Sequence, residues 1–344
     1  MMIGNCKNYL KKLSVLLFLV VVTVNVACAQ RQVDWLYFKA KNATTKAKKV
    51  VLIAGDQEYR SEESMPMLAK LLSYHHGFDA VVLFPIDPKT KEINPDYEQN
   101  IPGLQELKDA DLLIIATRFR QLPDDQMLHI DQYLKAGKPV IGLRTATHAF
   151  NFPEDSKSKF KHYGYAHKDG AWAGGFGKLV LGETWISHHG DHGTEGTRCF
   201  VNGLQMVKPN PILIGVNDIW VPTDVYGIHA DLKDADILLF GQPTIGMDEL
   251  SAINWKKSTI PVAWTKSYQL PGGVKGKAFT TTMGASIDFV SKDMRRLLIN
   301  ACLWAVGQED KINADLVVDP IDSYQPLMFG FGKFVKGKFP KDYQ

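Results

Sequence analysis

The sequence is poor in cysteine. Four cysteines occur among 344 residues, and Cys6 and Cys28 lie in or beside an apolar N-terminal stretch. Cys199 and Cys302 could form a disulfide in an oxidising compartment. However, Cys302 lies in a helical pattern, where a cysteine is typical of a small core residue. No Cys-x-x-Cys occurs, so the sequence indicates neither a dithiol redox pair nor a thiolate zinc site.

The chain also lacks a large excess of either charge. Its formal net charge is +3, from 40 basic and 37 acidic residues. Three of the basic residues, Lys7, Lys11 and Lys12, and none of the acidic ones lie in residues 1–29, so the rest of the chain has a formal net charge of zero. Because nucleic-acid-binding domains are basic, this balance excludes nucleic acid as an expected partner.

The longest hydrophobic run lies near the N-terminus. The basic residues are followed by the apolar segment 13–24 and by Ala27-Cys28-Ala29, a candidate cleavage site. The pattern predicts a signal peptide over residues 1–29 and an exported protein, periplasmic or extracellular. It predicts no stable membrane span, because crossing a bilayer takes about 20 apolar residues. The alternatives are a retained membrane anchor and a lipoprotein that begins at Cys28.

Strand-like and helix-like patterns alternate through the remaining chain, which predicts an α/β fold with a mainly parallel central sheet and helices on both faces. Apolar strand-like runs occupy residues 49–54, 79–84, 111–116 and 140–143. Amphipathic helical patterns occupy residues 62–76, 124–136 and 294–306.

The regular pattern loosens over residues 152–222, where only residues 178–181 and 184–186 look like strands. We therefore expect one α/β domain over residues 30–310, with a loop-rich insertion at about 152–222. Two domains divided near Pro153 are the alternative. The last segment, residues 311–344, carries four phenylalanines among Gly and Lys and is expected to be an extended tail on the domain surface.

The most informative segment is Gly137-Lys-Pro-Val-Ile-Gly-Leu-Arg-Thr-Ala-Thr-His-Ala-Phe150. Arg144, Thr145 and His148 follow directly on an apolar strand. In an open parallel sheet, side chains just past the carboxyl end of a strand face the ligand crevice. Arg144 would supply a cation with forked donors, and His148 a group able to transfer protons.

The ends of two other predicted strands carry charged residues. Asp56 and Glu58 follow the first strand, and Arg118 follows the third. Helix capping would explain an Asp at such a position, and a structural salt bridge would explain an Arg. We predict that at least one of the two carboxylates belongs to the site, and that Arg118 binds substrate.

The sequence Trp185-Ile-Ser-His-His-Gly-Asp-His-Gly193 is the densest histidine cluster. His188, His189 and His192 are ligands that zinc or a similar divalent ion accepts, so a metal is one interpretation. A metal-free histidine that contacts substrate is another, with His189 as the candidate base, and structural histidines are the third. Adjacent residues in a strand point to opposite faces, so at most one of His188 and His189 can join a given site.

Two later motifs add candidates. Pro222-Thr-Asp-Val-Tyr-Gly-Ile-His229 supplies Asp224, Tyr226 and His229, which could act in proton transfer or form a packed polar cluster. Gly284-Ala-Ser-Ile-Asp288 departs from Gly-x-Ser-x-Gly at its last position, so Ser286 is predicted to bind substrate or cap a helix rather than act as a nucleophile.

Together these motifs resemble the ThuA-like family, which is associated with trehalose utilisation. The Gly55-Asp-Gln-Glu-Tyr-Arg60 and Gly137–Phe150 segments, the His-Gly-rich loop and residues 222–227 carry the resemblance, and residues 281–286 and 295–304 extend it. The resemblance implies a flavodoxin-like three-layer sandwich, as in class I glutamine amidotransferases. Those enzymes place a nucleophilic Cys after the strand, where this chain has Arg144-Thr145-Ala146, so glutaminase chemistry is excluded.

The resemblance also implies a role in carbohydrate catabolism. We expect an enzyme, a hydrolase or lyase, that acts on a glycoside or 3-keto-glycoside with Glu58 or His189 as base, His148 or Asp224 as acid, and Arg144 as oxyanion stabiliser. Substrate contacts are expected from Asp56, Arg118, Thr145, Tyr226, His229 and Ser286. The alternative is a non-catalytic sugar-binding protein. The expected partner is a small saccharide, and a homo-oligomer is left open.

Overall fold

The strands and helices alternate as the sequence predicts. The computed structural model describes residues 34–41, 46–229 and 232–344, so the predicted signal peptide lies outside the described residues. The strands are β1 (Trp35–Phe38), β2 (Lys48–Gly55), β3 (Phe78–Leu83), β4 (Leu112–Thr117), β5 (Val140–Leu143), β6 (Ser187–His188), β7 (Thr197–Val201), β8 (Trp220–Val221), β9 (Tyr226–Gly227), β10 (Ala235–Pro243), β11 (Ile260–Tyr268) and β12 (Gly276–Thr281). The helices are α1 (Ser61–His75), α2 (Asp124–Lys135) and α3 (Lys292–Ala305).

Ten of these strands form one sheet in the order β1-β3-β2-β4-β5-β12-β11-β10-β7-β8. The predicted parallel arrangement is confirmed for its centre, because β3, β2, β4, β5 and β12 pair in parallel. The sheet as a whole is mixed: β1 joins one side antiparallel, and β11, β10, β7 and β8 extend the other side antiparallel. β6 and β9 pair separately as a small ribbon.

Alternate residues of the central strands face opposite sides of the sheet. Val50 and Leu52 of β2 belong to one apolar cluster together with residues of α1 and α3. Val51 and Ile53 belong to a second cluster together with residues of α2. Burial on both faces explains why these strands read as continuous apolar runs rather than as alternating ones.

The predicted strands at residues 178–181 and 184–186 are wrong. Gly177–Leu181 is a π-helical turn, and residues 184–186 form no strand. Val180 and Leu181 are fully buried, and a short apolar run does not distinguish a strand from a buried helical turn. The insertion nevertheless contributes β7 and β8 to the large sheet.

The tail after residue 310 is mostly irregular and contacts several parts of the domain. Its last turn, Pro340–Tyr343, stacks the Tyr343 ring on Phe84 with centroids 6.0 Å apart. The Ile93 amide donates a hydrogen bond to the carbonyl of Lys338 at 2.7 Å. Within the described residues no helix is long and apolar enough to cross a membrane.

The insertion packs closely on β5 at Gly142. A Cβ atom built there would lie 2.5 Å from Cδ1 of Leu181, whereas one built on Gly203 would meet nothing within 4 Å. Gly142→Ala should therefore lower the free energy of unfolding by about 1–3 kcal/mol through overpacking, and the control Gly203→Ala should change it by less than about 0.5 kcal/mol. Chemical denaturation measures both. Equal effects would show that the insertion does not pack on β5 in this way.

Candidate functional site

Three residues with left-handed backbone lie just beyond the carboxyl ends of the central strands. Arg60 follows β2 with φ 59°, Phe119 follows β4 with φ 52°, and Arg144 follows β5 with φ 42°. Such conformations cost energy for side chains other than glycine and concentrate at functional sites. Arg144 occupies the sharp strand-to-helix turn that holds the nucleophile in Gly-x-Ser-x-Gly hydrolases.

The side chain of Arg144 is buried and does not face a crevice. It is 1% exposed, and its guanidinium lies between the rings of Tyr59 and Tyr226, 4.3 and 4.0 Å from their centroids. Its Nη2 donates to Oδ1 of Asp224 at 2.8 Å, and its Nη1 donates to the carbonyls of Asp224 and Thr282. The sequence placed Arg144 correctly at the strand end, but the predicted contact with substrate has no open face.

Asp224 is the centre of the cluster. Besides Arg144, Nδ1 of His188 lies 2.7 Å from Oδ2, and Nδ1 of His192 lies 3.0 Å from Oδ1. Burial alone would raise the pKa of the Asp224 carboxyl. The charge of Arg144 and the hydrogen bonds from both histidines outweigh burial and hold this pKa well below its ordinary value. Asp224 is therefore an ionised carboxylate that accepts hydrogen bonds at both oxygens.

His192 lies between two carboxylates. Its Nδ1 faces Asp224, and its Nε2 lies 2.8 Å from Oε1 of Glu58. The hydrogen bond to Asp224 raises the pKa of His192; burial opposes the shift and the charge of Glu58 adds to it. The side chain remains 35% exposed, so part of this ring is open to a ligand.

Glu58 links His192 to Arg118, the predicted substrate-binding arginine. Its carboxyl is 4% exposed, and Oε2 lies 3.3 Å from Nη1 of Arg118. Burial, and next the charge of Asp56, raise the pKa of Glu58, against the lowering effect of His192 and Arg118. Arg118 is 19% exposed, so it and the two histidines are the charged or titratable groups of this cluster that a ligand can reach.

Asp56 and Thr145 form a buried contact that supports the loop carrying Glu58. Both are buried, and the Thr145 hydroxyl donates to Asp56. The other oxygen of Asp56 accepts the amides of Glu58 and Tyr59 at 2.8 and 2.9 Å, which shapes the loop that carries Glu58. Asp56 thus binds amides of the loop rather than of the helix, so helix capping does not explain it, and burial leaves neither residue a direct route to substrate.

The structure does not bring four predicted residues into the cluster. Nε2 of His189 lies 2.7 Å from the carbonyl of Ser258, and Nδ1 of His229 lies 3.1 Å from Glu183. Ser286 is fully buried, with its hydroxyl 3.5 Å from the carbonyl of Leu327. His148 is 2% exposed among aromatic rings, and burial holds its pKa well below the ordinary value, so it is a neutral ring at pH 7 rather than an acid.

Several contributors escaped the sequence reasoning. Tyr59 belongs to the Gly55–Arg60 motif but is not among the predicted site residues, yet its hydroxyl accepts a hydrogen bond from Nη2 of Arg144 at 3.0 Å. Phe329, from the tail, packs 5.7 Å from the ring of His192. The aromatic content of the tail was visible in the sequence, but no local signal indicates which distant strand end a tail contacts.

His188, His192 and Asp224 also form a possible cation-binding group. One ligand atom from each lies within 4.8 Å of the others, and two histidines with one carboxylate suit zinc or iron(II). The set differs from the predicted one, because Asp224 takes the place of His189. Ligand atoms on a tetrahedral zinc are about 3.3 Å apart, so the 2.7 and 3.0 Å contacts have hydrogen-bond lengths. These three residues would hold an ion after a small expansion, and the ion would supply Lewis acidity or an activated water.

A family model for ThuA, described as trehalose utilisation, matches residues 49–305. The chain belongs to this family. The family indicated by the motifs is confirmed. As a member of this family, the chain is a protein related to carbohydrate utilisation.

Among solved structures, a ThuA-like protein from Bacteroides uniformis ATCC 8492 is 15% identical, with 80% of this chain and 98% of that chain covered and a TM-score of 0.47. A ThuA-like protein from Parabacteroides merdae ATCC 43184 is also 15% identical, with coverages of 87% and 99% and a TM-score of 0.49. No curated protein matches the sequence.

Removal of one partner of the Arg144–Asp224 pair should strongly destabilise this ThuA-family protein. Arg144→Met leaves a buried carboxylate with a lost partner, so we expect the free energy of unfolding to fall by about 3–5 kcal/mol. Adding Asp224→Asn should restore part of that loss, because the uncompensated charge is removed. Denaturation of the two single variants and the double variant measures the coupling. Strictly additive losses would contradict a direct pairing.

His192 should titrate above its ordinary range, and Glu58→Gln should lower its pKa, while the exposed control Glu154→Gln should not. NMR titration of the imidazole measures this. Because the folded pKa is raised, the stabilisation is fully present below the unfolded pKa and is lost as pH rises through the folded value. A His192 pKa that is unchanged by Glu58→Gln would refute the contact between the two side chains.

Proposed function

We propose that this protein is an exported enzyme of carbohydrate catabolism that cleaves the glycosidic bond of a glycoside or 3-keto-glycoside by acid/base chemistry. The family supports the carbohydrate role, and the N-terminal pattern supports export. One observation carries the chemistry: a single buried carboxylate, Asp224, holds two adjacent, half-exposed histidines whose ring centroids are 4.6 Å apart.

The two histidines have different surroundings, which supports different roles. His188 uses Nδ1 for Asp224, so its neutral tautomer has a lone pair on Nε2 and can act as a base. His192 contacts carboxylates through both nitrogens, which favours the imidazolium form and makes it an acid. Two titratable groups in different surroundings are typical of an acid and base pair. The base role predicted for His189 thus passes to His188.

With a 3-keto-glycoside, the proposed step is an elimination. The carbonyl at C3 acidifies the proton at C2, and Nε2 of His188 removes it. The electron pair forms the C1–C2 double bond as the C1–O bond breaks, and His192 protonates the departing alcohol. An enone and a free alcohol result, and no nucleophilic cysteine or serine is required. Each proton-transfer group is expected to contribute about 10²–10⁴-fold.

The cation that faces developing negative charge at the C3 oxygen is Arg118 in this account. Arg118 is partly exposed and lies beside Glu58, whereas Arg144 is enclosed. Arg144 instead orients Asp224, as the buried aspartate of a serine-protease triad orients its histidine. A preorganised cation in a site largely shielded from water stabilises such charge without reorganisation.

We also propose a more specific fold class for this α/β domain. Apolar clusters on both faces of the sheet support a flavodoxin-like three-layer sandwich related to the class I glutamine amidotransferases. At the turn after β5, Arg144 stands where such an enzyme needs its nucleophile, which argues against glutaminase activity.

A non-catalytic sugar-binding protein is the second candidate. It is favoured by the aromatic surroundings of His148, where Phe119, Tyr165 and Trp185 have centroids 5.1–6.2 Å from the imidazole. Trp185 also lies 5.9 Å from His188, so the aromatic group borders the proposed acid/base pair. Such rings can hold a sugar without any chemistry.

Incubation with trehalose, its 3-keto derivative and simple methyl 3-keto-glucosides distinguishes the two candidates. We expect cleavage of the 3-keto compounds with release of the alcohol, and a fall in kcat of about 10²–10⁴-fold for His188→Ala. The control His75→Ala, an exposed histidine at the end of α1, should retain activity. Binding without turnover by the wild-type protein would favour the sugar-binding protein.

A chelator arm in the same assay tests the divalent ion. In the acid/base account the wild-type rate does not change after chelation, and metal analysis finds no stoichiometric ion. Activity that is lost on chelation and restored by one added ion would contradict the proton-transfer roles of His188 and His192, because their lone pairs would then bind the metal.

A further inference from the structure

The tail contributes to the site from beyond the family match. The match ends at residue 305, yet Phe329 packs its ring on Tyr59 and His192, with centroids 5.3 and 5.7 Å away. The next residue, Gly330, donates its amide to the carbonyl of Glu58 at 2.9 Å. Two consecutive tail residues therefore contact the loop and the histidine of the proposed acid/base group.

The tail is attached on either side of these contacts. Before them, the Leu327 amide donates to Oε2 of Glu63 at 3.0 Å. After them, Nη1 of Arg60 donates to the carbonyl of Lys333. Because both attachment points are on the β2–α1 loop and the first turn of α1, residues 327–333 have a defined course along the site.

Phe331 lies within segment 327–333, at the solvent-exposed edge of the site. Its ring is over the guanidinium of Arg118, with the Arg118 carbon 4.6 Å from the ring centroid, and the ring of Phe119 is 4.8 Å from the same carbon. Arg118 thus contacts two aromatic rings, and it also reaches Glu58. Phe331 itself is 60% exposed, so packing within the protein does not account for most of its surface.

We propose that Phe331 is a stacking surface for a sugar ring and that residues 329–331 complete the saccharide-binding site. A pyranose presents C–H groups on one face and hydroxyls around its edge. An exposed aromatic ring beside the partly exposed Arg118 matches both, since the ring takes the apolar face while the guanidinium donates to hydroxyls. Phe329, which is 5% exposed, is a positioning residue for His192 rather than a contact for substrate.

This inference rests on the proposed saccharide substrate and adds the subsite that selects it. The ordinary alternative is that Phe331 only shields the Arg118–Glu58 pair. Shielding and stacking differ in a measurable way. A stacked sugar loses binding when the ring is removed, with little change in the chemical step, because Phe331 does not touch a proton-transfer group.

The test uses Phe331→Ala, Phe331→Trp and the matched control Phe200→Ala, with trehalose and 3-keto-trehalose as probes. Phe200 is a 41% exposed phenylalanine on β7, and four strands separate β7 from β4 in the sheet. We expect Phe331→Ala to raise KM or Kd about 5- to 10-fold with kcat within about twofold, and Phe331→Trp to retain affinity. Phe200→Ala should match the wild-type protein.

The outcomes separate the two proposals. A wild-type protein that binds or cleaves a probe, with Phe331→Ala unchanged in KM and Kd, overturns the subsite and leaves the function standing. A fall in kcat alone for Phe331→Ala also overturns it, because that result indicates shielding of the charged pair. A wild-type protein that neither binds nor cleaves any probe overturns the function itself, and the subsite with it.

Discussion

The buried ion pair of Arg144 and Asp224 is the interaction on which the site depends. Both side chains are almost fully enclosed, and the guanidinium satisfies the carboxylate while two tyrosine rings cover it. A buried charge pair is weak evidence for stability, because desolvation offsets much of the attraction. Its value here is positional: it fixes a carboxylate, at the edge where three parallel strands end, with both oxygens available to histidines.

The rest of the site follows from that fixed carboxylate. His188 and His192 come from the insertion, which lacks long regular elements and could not hold two imidazoles in place unaided. Asp224 accepts one hydrogen bond from each ring and thereby fixes its orientation. Glu58 then contacts His192 from the β2–α1 loop, and Arg118 extends the charged row from β4. The arrangement joins four separate chain segments around one acceptor.

The sequence predicts the parts of this arrangement that depend on local pattern. Apolar runs and helix periods identify the central strands and helices, and the rule for parallel sheets identifies Glu58, Arg118 and Arg144 as strand-end residues. The sequence pattern does not indicate whether such a side chain faces solvent or the protein interior. Arg144 faces the protein interior because it pairs there with Asp224. That partner lies 80 residues further along the chain, so no local pattern indicates the pairing. The choice of His188 over His189 likewise follows from the pairing of β6 with β9, and that long-range register has no local signal.

Turnover of 3-keto-trehalose by Asp224→Asn measures the central claim most directly. Asparagine keeps the shape of the side chain but presents an amide NH₂ to one of the two histidine donors. The account predicts a fall in kcat of about 10²–10⁴-fold with KM changed little, as for an aspartate that orients a catalytic histidine. A folded Asp224→Asn protein that cleaves the substrate at the wild-type rate would contradict it.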